Sequence, residues 1–274
     1  MSAAAPPTAG TPSPKSPPPS APAASPNVPA HPRVGELHDS GTVRREFVAA
    51  DRWFASGLVK VTGDTNVGQA TVDGTVTLGG KLSADTVRYR GTLDVTGAVD
   101  SSTEFTGAGS LRAEAAFHAG AAELRGTASI AGPVSVDHAL RVRGSLAAPT
   151  ATAGELDVDG EVHIPGELSA SRVTASLKEN SAFGTVRARS VTLRGRPPNL
   201  VEKVFFKRVT VTVERVEADS ADLESVEVLF VRAPQITLGR NAHVTEYEGT
   251  IVKRHPTSRV GFESKSPPPY GLRR

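Results

Sequence analysis

Three histidines, His118, His138 and His163, and an acidic run, Glu214, Glu217, Asp219, Asp222, Glu224 and Glu227, are the side chains here whose types could do chemistry. Imidazoles that hold one zinc ion must converge on it. These three sit at different offsets from the nearest glycine of the repeat described below, so they do not share a column and are expected on the surface. Carboxylates facing one way could hold a hard cation. The acidic run lacks the glycine-turn spacing of a calcium loop, however, and Lys203, Lys207, Arg208 and Arg215 lie beside it. A solvated, ion-paired face is the expectation, and no metal site is expected.

Other reactive constellations are missing from the letters. No GxxxxGK[ST] loop occurs and no strand-to-helix GxGxxG, so no nucleotide or other cofactor is expected. Gly107 and Gly109, one residue apart, read as turn residues. The absence of cysteine removes a thiolate nucleophile, a disulfide framework and thiolate zinc ligands together. Formal net charge is only +2, and much of the excess follows Ile251, in Lys253, Arg254, Arg259, Lys265, Arg273 and Arg274. Such an end can touch phosphate or anionic lipid, but it reads first as solvated, and nucleic acid is not an expected partner. No apolar stretch approaches the roughly 18 residues of a membrane-spanning helix and no signal peptide opens the chain, so a soluble cytoplasmic protein is expected.

The elements that carry these residues follow from a repeat. Gly74, Gly91, Gly109, Gly126, Gly144 and Gly160 recur every 16 to 18 residues. A second set of turn residues, Gly80, Gly97, Gly132, Pro149 and Gly166, interleaves with them. Two residues after each first marker lie Val76, Leu93, Leu111, Ala128, Leu146 and Val162; four after lie Leu78, Val95, Ala113, Ile130, Ala148 and Ile164. The residues between are mostly polar or small, which is strand alternation with one face inward. Short strands with corners, repeating at this period, stack as a single-stranded parallel β-helix, an all-β fold in which no coil buries its apolar side alone. After about Val173 the repeat loosens. RGRPPN, Arg194–Asn199, reads as a protruding loop, and alternation resumes at Val209, Val211 and Val213. About eleven coils are expected between Leu58 and Ile251, a rod of roughly 50 Å at one strand spacing per coil.

Domain boundaries follow from composition. Residues 1–40, rich in Ala, Pro and Ser, have little to bury and are expected to be disordered. Residues 41–254 are the β-helix, with an N-terminal cap near 44–58, and residues 255–274 form a second, basic and Pro-rich disordered tail. Its Pro267–Tyr270, PPPY, matches a WW-domain ligand over four residues, a match that Pro-rich composition readily produces.

The Gly-cornered coils, the Pro-rich ends and the closing segment VRAPQITLGRNAHVTEYEGTIVKRHPTSRV, Val231–Val260, resemble the bactofilin family of polymer-forming cytoskeletal proteins. The resemblance covers about Gly41 to Arg254. It implies a right-handed β-helix that assembles end to end without nucleotide into non-polar filaments, scaffolds at membranes or cell-envelope sites. The implied partners are other copies of the chain, with membrane or envelope proteins reached through the tails at the inner face of the membrane. The core is longer than the usual bactofilin domain, and the tail carries no apolar membrane-targeting motif.

Two other readings compete. A β-helix carbohydrate-active enzyme mounts Asp, Lys and Arg on long loops that wall a cleft, and the marker spacing leaves almost no loop residues before Arg194. Hexapeptide acyltransferases keep a stricter six-residue period. A monomeric binding scaffold is the other alternative to self-assembly. The ends of the coil separate these readings, because an unpaired strand edge invites another chain. Arg44–Leu58 concentrates Trp53, Phe54 and Leu58 and is expected either as a cap over the first coil or as a polymer contact. The last coils carry Phe230, Val244, Tyr247 and Ile251, larger than the Ala- and Val-filled middle, expected either to plug a wider terminal coil or to reach a partner.

Overall fold

The computed structural model describes residues 34–178, 180–196 and 211–263. The strands are β1 (Val34–Arg45), β2 (Val48–Val61), β3 (Thr65–Leu78), β4 (Leu82–Val95), β5 (Val99–Ala113), β6 (Phe117–Ile130), β7 (Val134–Ala147), β8 (Ala151–Leu177), β9 (Ala182–Gly195), β10 (Thr212–Glu224), β11 (Glu227–Leu238), β12 (His243–Arg254) and β13 (Arg259–Glu263). They form one 13-stranded sheet in sequence order, every pairing parallel. Apart from β9 and β10, successive strands are joined by corners of a few residues, and parallel neighbours so joined can only be successive turns of a coil, so the described residues form a single-stranded parallel β-helix. β8 runs through a corner without a break: its first half pairs with β7 and its second with β9.

Alternation places the core. Trp53, Ala70, Val87, Phe105, Ala122, Leu140 and Leu156 pair in register from β2 to β8 and are all buried, as are Val59, Val76, Leu93, Leu111, Ala128, Leu146 and Val162. The register cannot slip by one residue without turning every such column outward. Where one column changes volume, its neighbours compensate. Gly107 pairs with Tyr89, whose ring occupies the space that a side chain on Gly107 would need. Phe105 packs between Tyr89, at 5.7 Å between ring centroids, and Phe117, edge-on at 4.9 Å. Burial pushes the Tyr89 hydroxyl up to a pKa of about 12.

The first glycine series is a ladder. Gly41, Gly57, Gly74, Gly91, Gly109, Gly126, Gly144 and Gly160 pair coil on coil, all with positive φ, for example 127° at Gly74. A Cβ on Gly57 would come within 2.5 Å of the Gly41 carbonyl oxygen. The corner therefore needs glycine twice over, for its left-handed backbone and for the close stacking of coils.

Several boundaries differ from the expectation. The coil begins at Val34 rather than near Gly41 and runs to Glu263 rather than Arg254, so thirteen strands replace about eleven coils. At one strand spacing each, residues 34–263 span about 60 Å along the axis. Residues 44–58 form no separate cap over the coil: they run from the end of β1 through the corner at Glu46 and Phe47 into β2, and β1 and β2 pair as ordinary turns, with Gly41 and Gly57 continuing the ladder. Val211 and Val213 are buried as the alternation predicts; Arg194 and Gly195 of the expected Arg194–Asn199 loop instead end β9, while Val209, Pro197–Asn199, and both tails up to residue 33 and beyond 263 lie outside the described residues.

Candidate functional site

β1 and β13 are the two edges of the sheet, and the chemistry of the molecule differs most between them. At the N-terminal edge, Asp39 and Arg45 occupy positions that in the next coil belong to the inward-facing Ala55 and Val61. Asp39 is 3% exposed. Arg45 donates to it through Nε at 2.9 Å and Nη2 at 2.6 Å, and the buried Trp53 donates its Nε1–H at 3.0 Å. Burial pushes the Asp39 carboxyl up, but the hydrogen bonds from Arg45 and Trp53 and the Arg45 charge outweigh it and leave the pKa below the ordinary value. Among the described residues no turn lies above the first coil, so apolar side chains there would face water. The ion pair gives this end a polar seal, with Trp53 as the apolar surface beneath. Val34 and Phe47 remain exposed at 51% and 47%.

The C-terminal end leaves apolar side chains uncovered, among exposed Lys253, Arg254 and Arg259. Ile251 lies in register with the fully buried Ile236, and Val260 with Val244, yet Ile251, Val260 and Tyr247 are only partly covered, since among the described residues only the short β13 follows them. Beside them Val252 is 64% exposed and Phe262 75%, the most exposed large apolar side chains among the described residues. The turn into β13 is held by Ser258, whose backbone N–H and hydroxyl both donate to the His255 carbonyl.

The residues singled out from sequence are thus distributed unevenly. Trp53 and Val244, each 1% exposed, are core. Phe54 stacks on His38 at 4.7 Å, and Leu58 is 51% exposed on the outer face of β2, one coil in from the edge. Phe230 is partly covered by the Arg215 guanidinium, 4.6 Å above its ring. Tyr247 and Ile251 do lie at the end. Val252 and Phe262 were not singled out because Phe262 falls in a segment whose composition reads as tail. The only signal for it was the continuing alternation of Arg259–Phe262.

Elsewhere the surface carries ion pairs. His118 lies between Asp100, 3.1 Å from Nδ1, and Asp137, 3.5 Å from Nε2, while His138 and His163 are exposed. Within the acidic run, Glu217 pairs with Arg187 and Arg215, Asp222 with Arg194 and Glu227 with His243. The hydrogen bond from Arg187 leads the causes that hold the Glu217 carboxyl below its ordinary pKa. No group of three or more His, Asp or Glu among the described residues is arranged to hold a metal ion. No helix among them is long and apolar enough to cross a membrane.

One open groove of about 540 Å³ crosses β9 to β12 near the C-terminal end. Its floor is Ala188, Ala218, Ala233 and Gly249, and one wall is the in-register series Arg187, Glu217, Arg232 and Glu248. Small floor residues against long wall residues make the depression. Comparison with family models, with curated proteins and with solved structures returns no match.

Proposed function

We propose that this chain is a non-enzymatic structural protein whose β-helix joins other copies end to end, without nucleotide, into filaments that serve as a cytoskeletal scaffold. The observation that carries this reading is the C-terminal end, where a strand edge lies beside Tyr247, Ile251, Val252 and Phe262, partly or largely uncovered. An unpaired edge supplies backbone donors and acceptors, and the apolar residues around it supply burial; together they are the surface that strand addition uses. The resemblance to bactofilins points the same way. The cytoplasm, at the inner face of the membrane, is the location this reading assigns, with the tails reaching membrane or envelope partners.

The contact is assigned to Tyr247, Ile251, Val252 and Phe262 rather than to Trp53 or Val244, which are already fully used in the core. Sedimentation of wild type, Tyr247→Arg and Phe262→Arg, each checked for retained β circular dichroism, tests the assignment. An isologous end contact would set each new charge against its own copy, where like charges repel. Loss of filaments in the folded variants, leaving at most pairs joined at the N-terminal end, is expected, because an isologous contact at this end propagates only together with a second one at the other. Undiminished assembly in both would remove the contact from this end, and a wild type that stays monomeric at high concentration would favour the isolated binding scaffold.

A further inference from the structure

We infer that the groove across β9–β12 is the docking site of the chain's own C-terminal segment, residues 265–274, which folds back along the outside of the last coils. The first argument is where the described chain stops. Glu263 pairs with Tyr247, and the residue after Tyr247 is Glu248, which lines the groove. The last described residue therefore ends one position short of the groove's Glu248.

Length and chemistry agree with that exit. From β13 back to β9 is four strand spacings, about 19 Å, and an extended Pro-rich segment advances about 3.1 Å per residue. The residues up to Tyr270 therefore span the groove. Pro267, Pro268 and Pro269 have no backbone N–H and cannot extend the sheet at its edge. Already restrained to an extended helix, they lose little entropy by lying on a smooth apolar floor. Alanine and glycine provide that floor, and a longer side chain at Gly249 would strike the Ala233 carbonyl. Charge fits as well. Residues 264–274 contain Lys265, Arg273 and Arg274 and no acidic side chain, and the groove offers them Asp219, exposed and without an ion-pair partner among the described residues, while its Glu217 and Glu248 are already paired with Arg187 and Arg232.

This site does not depend on end-to-end assembly, since it lies on the flank of the coil. The chain has no cysteine, which makes a thiol pair a clean probe. In the full chain, Pro268→Cys combined with Ala218→Cys is compared with Pro268→Cys combined with Arg240→Cys, Arg240 being exposed at the corner after β11 and off the groove. The two pairs are oxidised mildly at low protein concentration and resolved by non-reducing electrophoresis and peptide mapping. A docked segment raises the local thiol concentration at position 218 above that of a free tether, so intramolecular cross-linking at least about tenfold faster than at position 240 is expected. Excess free peptide of residues 264–274 should slow it. Equal rates at the two positions overturn the proposal, and so do disulfides formed only between chains.

Discussion

Replacing Gly126 by alanine is the sharpest perturbation of the coil itself. Gly126 sits in the middle of the glycine ladder with φ 115°, stacked between Gly109 and Gly144. An alanine there takes a left-handed backbone that costs an L-residue about 1–2 kcal/mol. Its Cβ also lands well inside van der Waals contact of the Gly109 carbonyl oxygen, a backbone atom that cannot swing aside. Relief requires the coils to part locally, which weakens one or two ladder hydrogen bonds at about 1 kcal/mol each. The sum is about 3 kcal/mol. Thr127→Ala, at the next, outward-facing position, should stay within about 0.5 kcal/mol. Guanidinium unfolding followed by circular dichroism reads both, with the midpoint shift compared at constant m-value. A Gly126→Ala variant as stable as Thr127→Ala would mean that the corner tolerates a Cβ and that close stacking does not explain the glycines.

Two further outcomes follow from the core and the sealed end. Asp39→Ala should cost about 2–3 kcal/mol at neutral pH, below the usual figure for a broken buried pair because Arg45 is partly exposed, and urea unfolding measures it. The folded-state pKa of Asp39 is depressed, so its contribution is present above the unfolded value, near 3.9, and is lost as pH falls through the folded value. The gap between wild type and Asp39→Asn should therefore shrink below about pH 4, and a gap unchanged at pH 2 would contradict the ion-pair account. Phe105→Ala removes a ring held between Tyr89 and Phe117 and should cost about 3–5 kcal/mol in the same assay, whereas a loss under 1 kcal/mol would mean that the coil collapses to fill the space.

The middle of the fold was readable because its constraint is simple. Columns such as Val76, Leu93, Leu111 and Leu146 need only be apolar, and their glycine corners recur at a nearly constant spacing. The ends were harder for a physical reason. A terminal coil has a neighbour on one side only, so its inward positions can be polar, as Asp39 and Arg45 are, and a burial pattern then reads as tail. Gly41, sixteen residues before Gly57, was the available signal that the coil had already begun. At the other end the alternation of Arg259–Phe262 was too short to stand out. Cross-coil ion pairs were legible only in part: Asp100 and His118 lie directly opposite each other beside the Val99 and Phe117 column, whereas Arg88 meets Glu104 next to an irregularity in register between Ala84 and Thr86 that the letters do not show.

Electron microscopy with fibre diffraction of the wild-type chain, concentrated without nucleotide, tests the proposed function most directly. End-to-end stacking predicts unbranched filaments with strands perpendicular to the axis, a 4.8 Å meridional spacing, and one subunit about every 60 Å, the axial length of residues 34–263. Monodisperse particles of that length at every concentration, or filaments whose strands run along the axis, would contradict it.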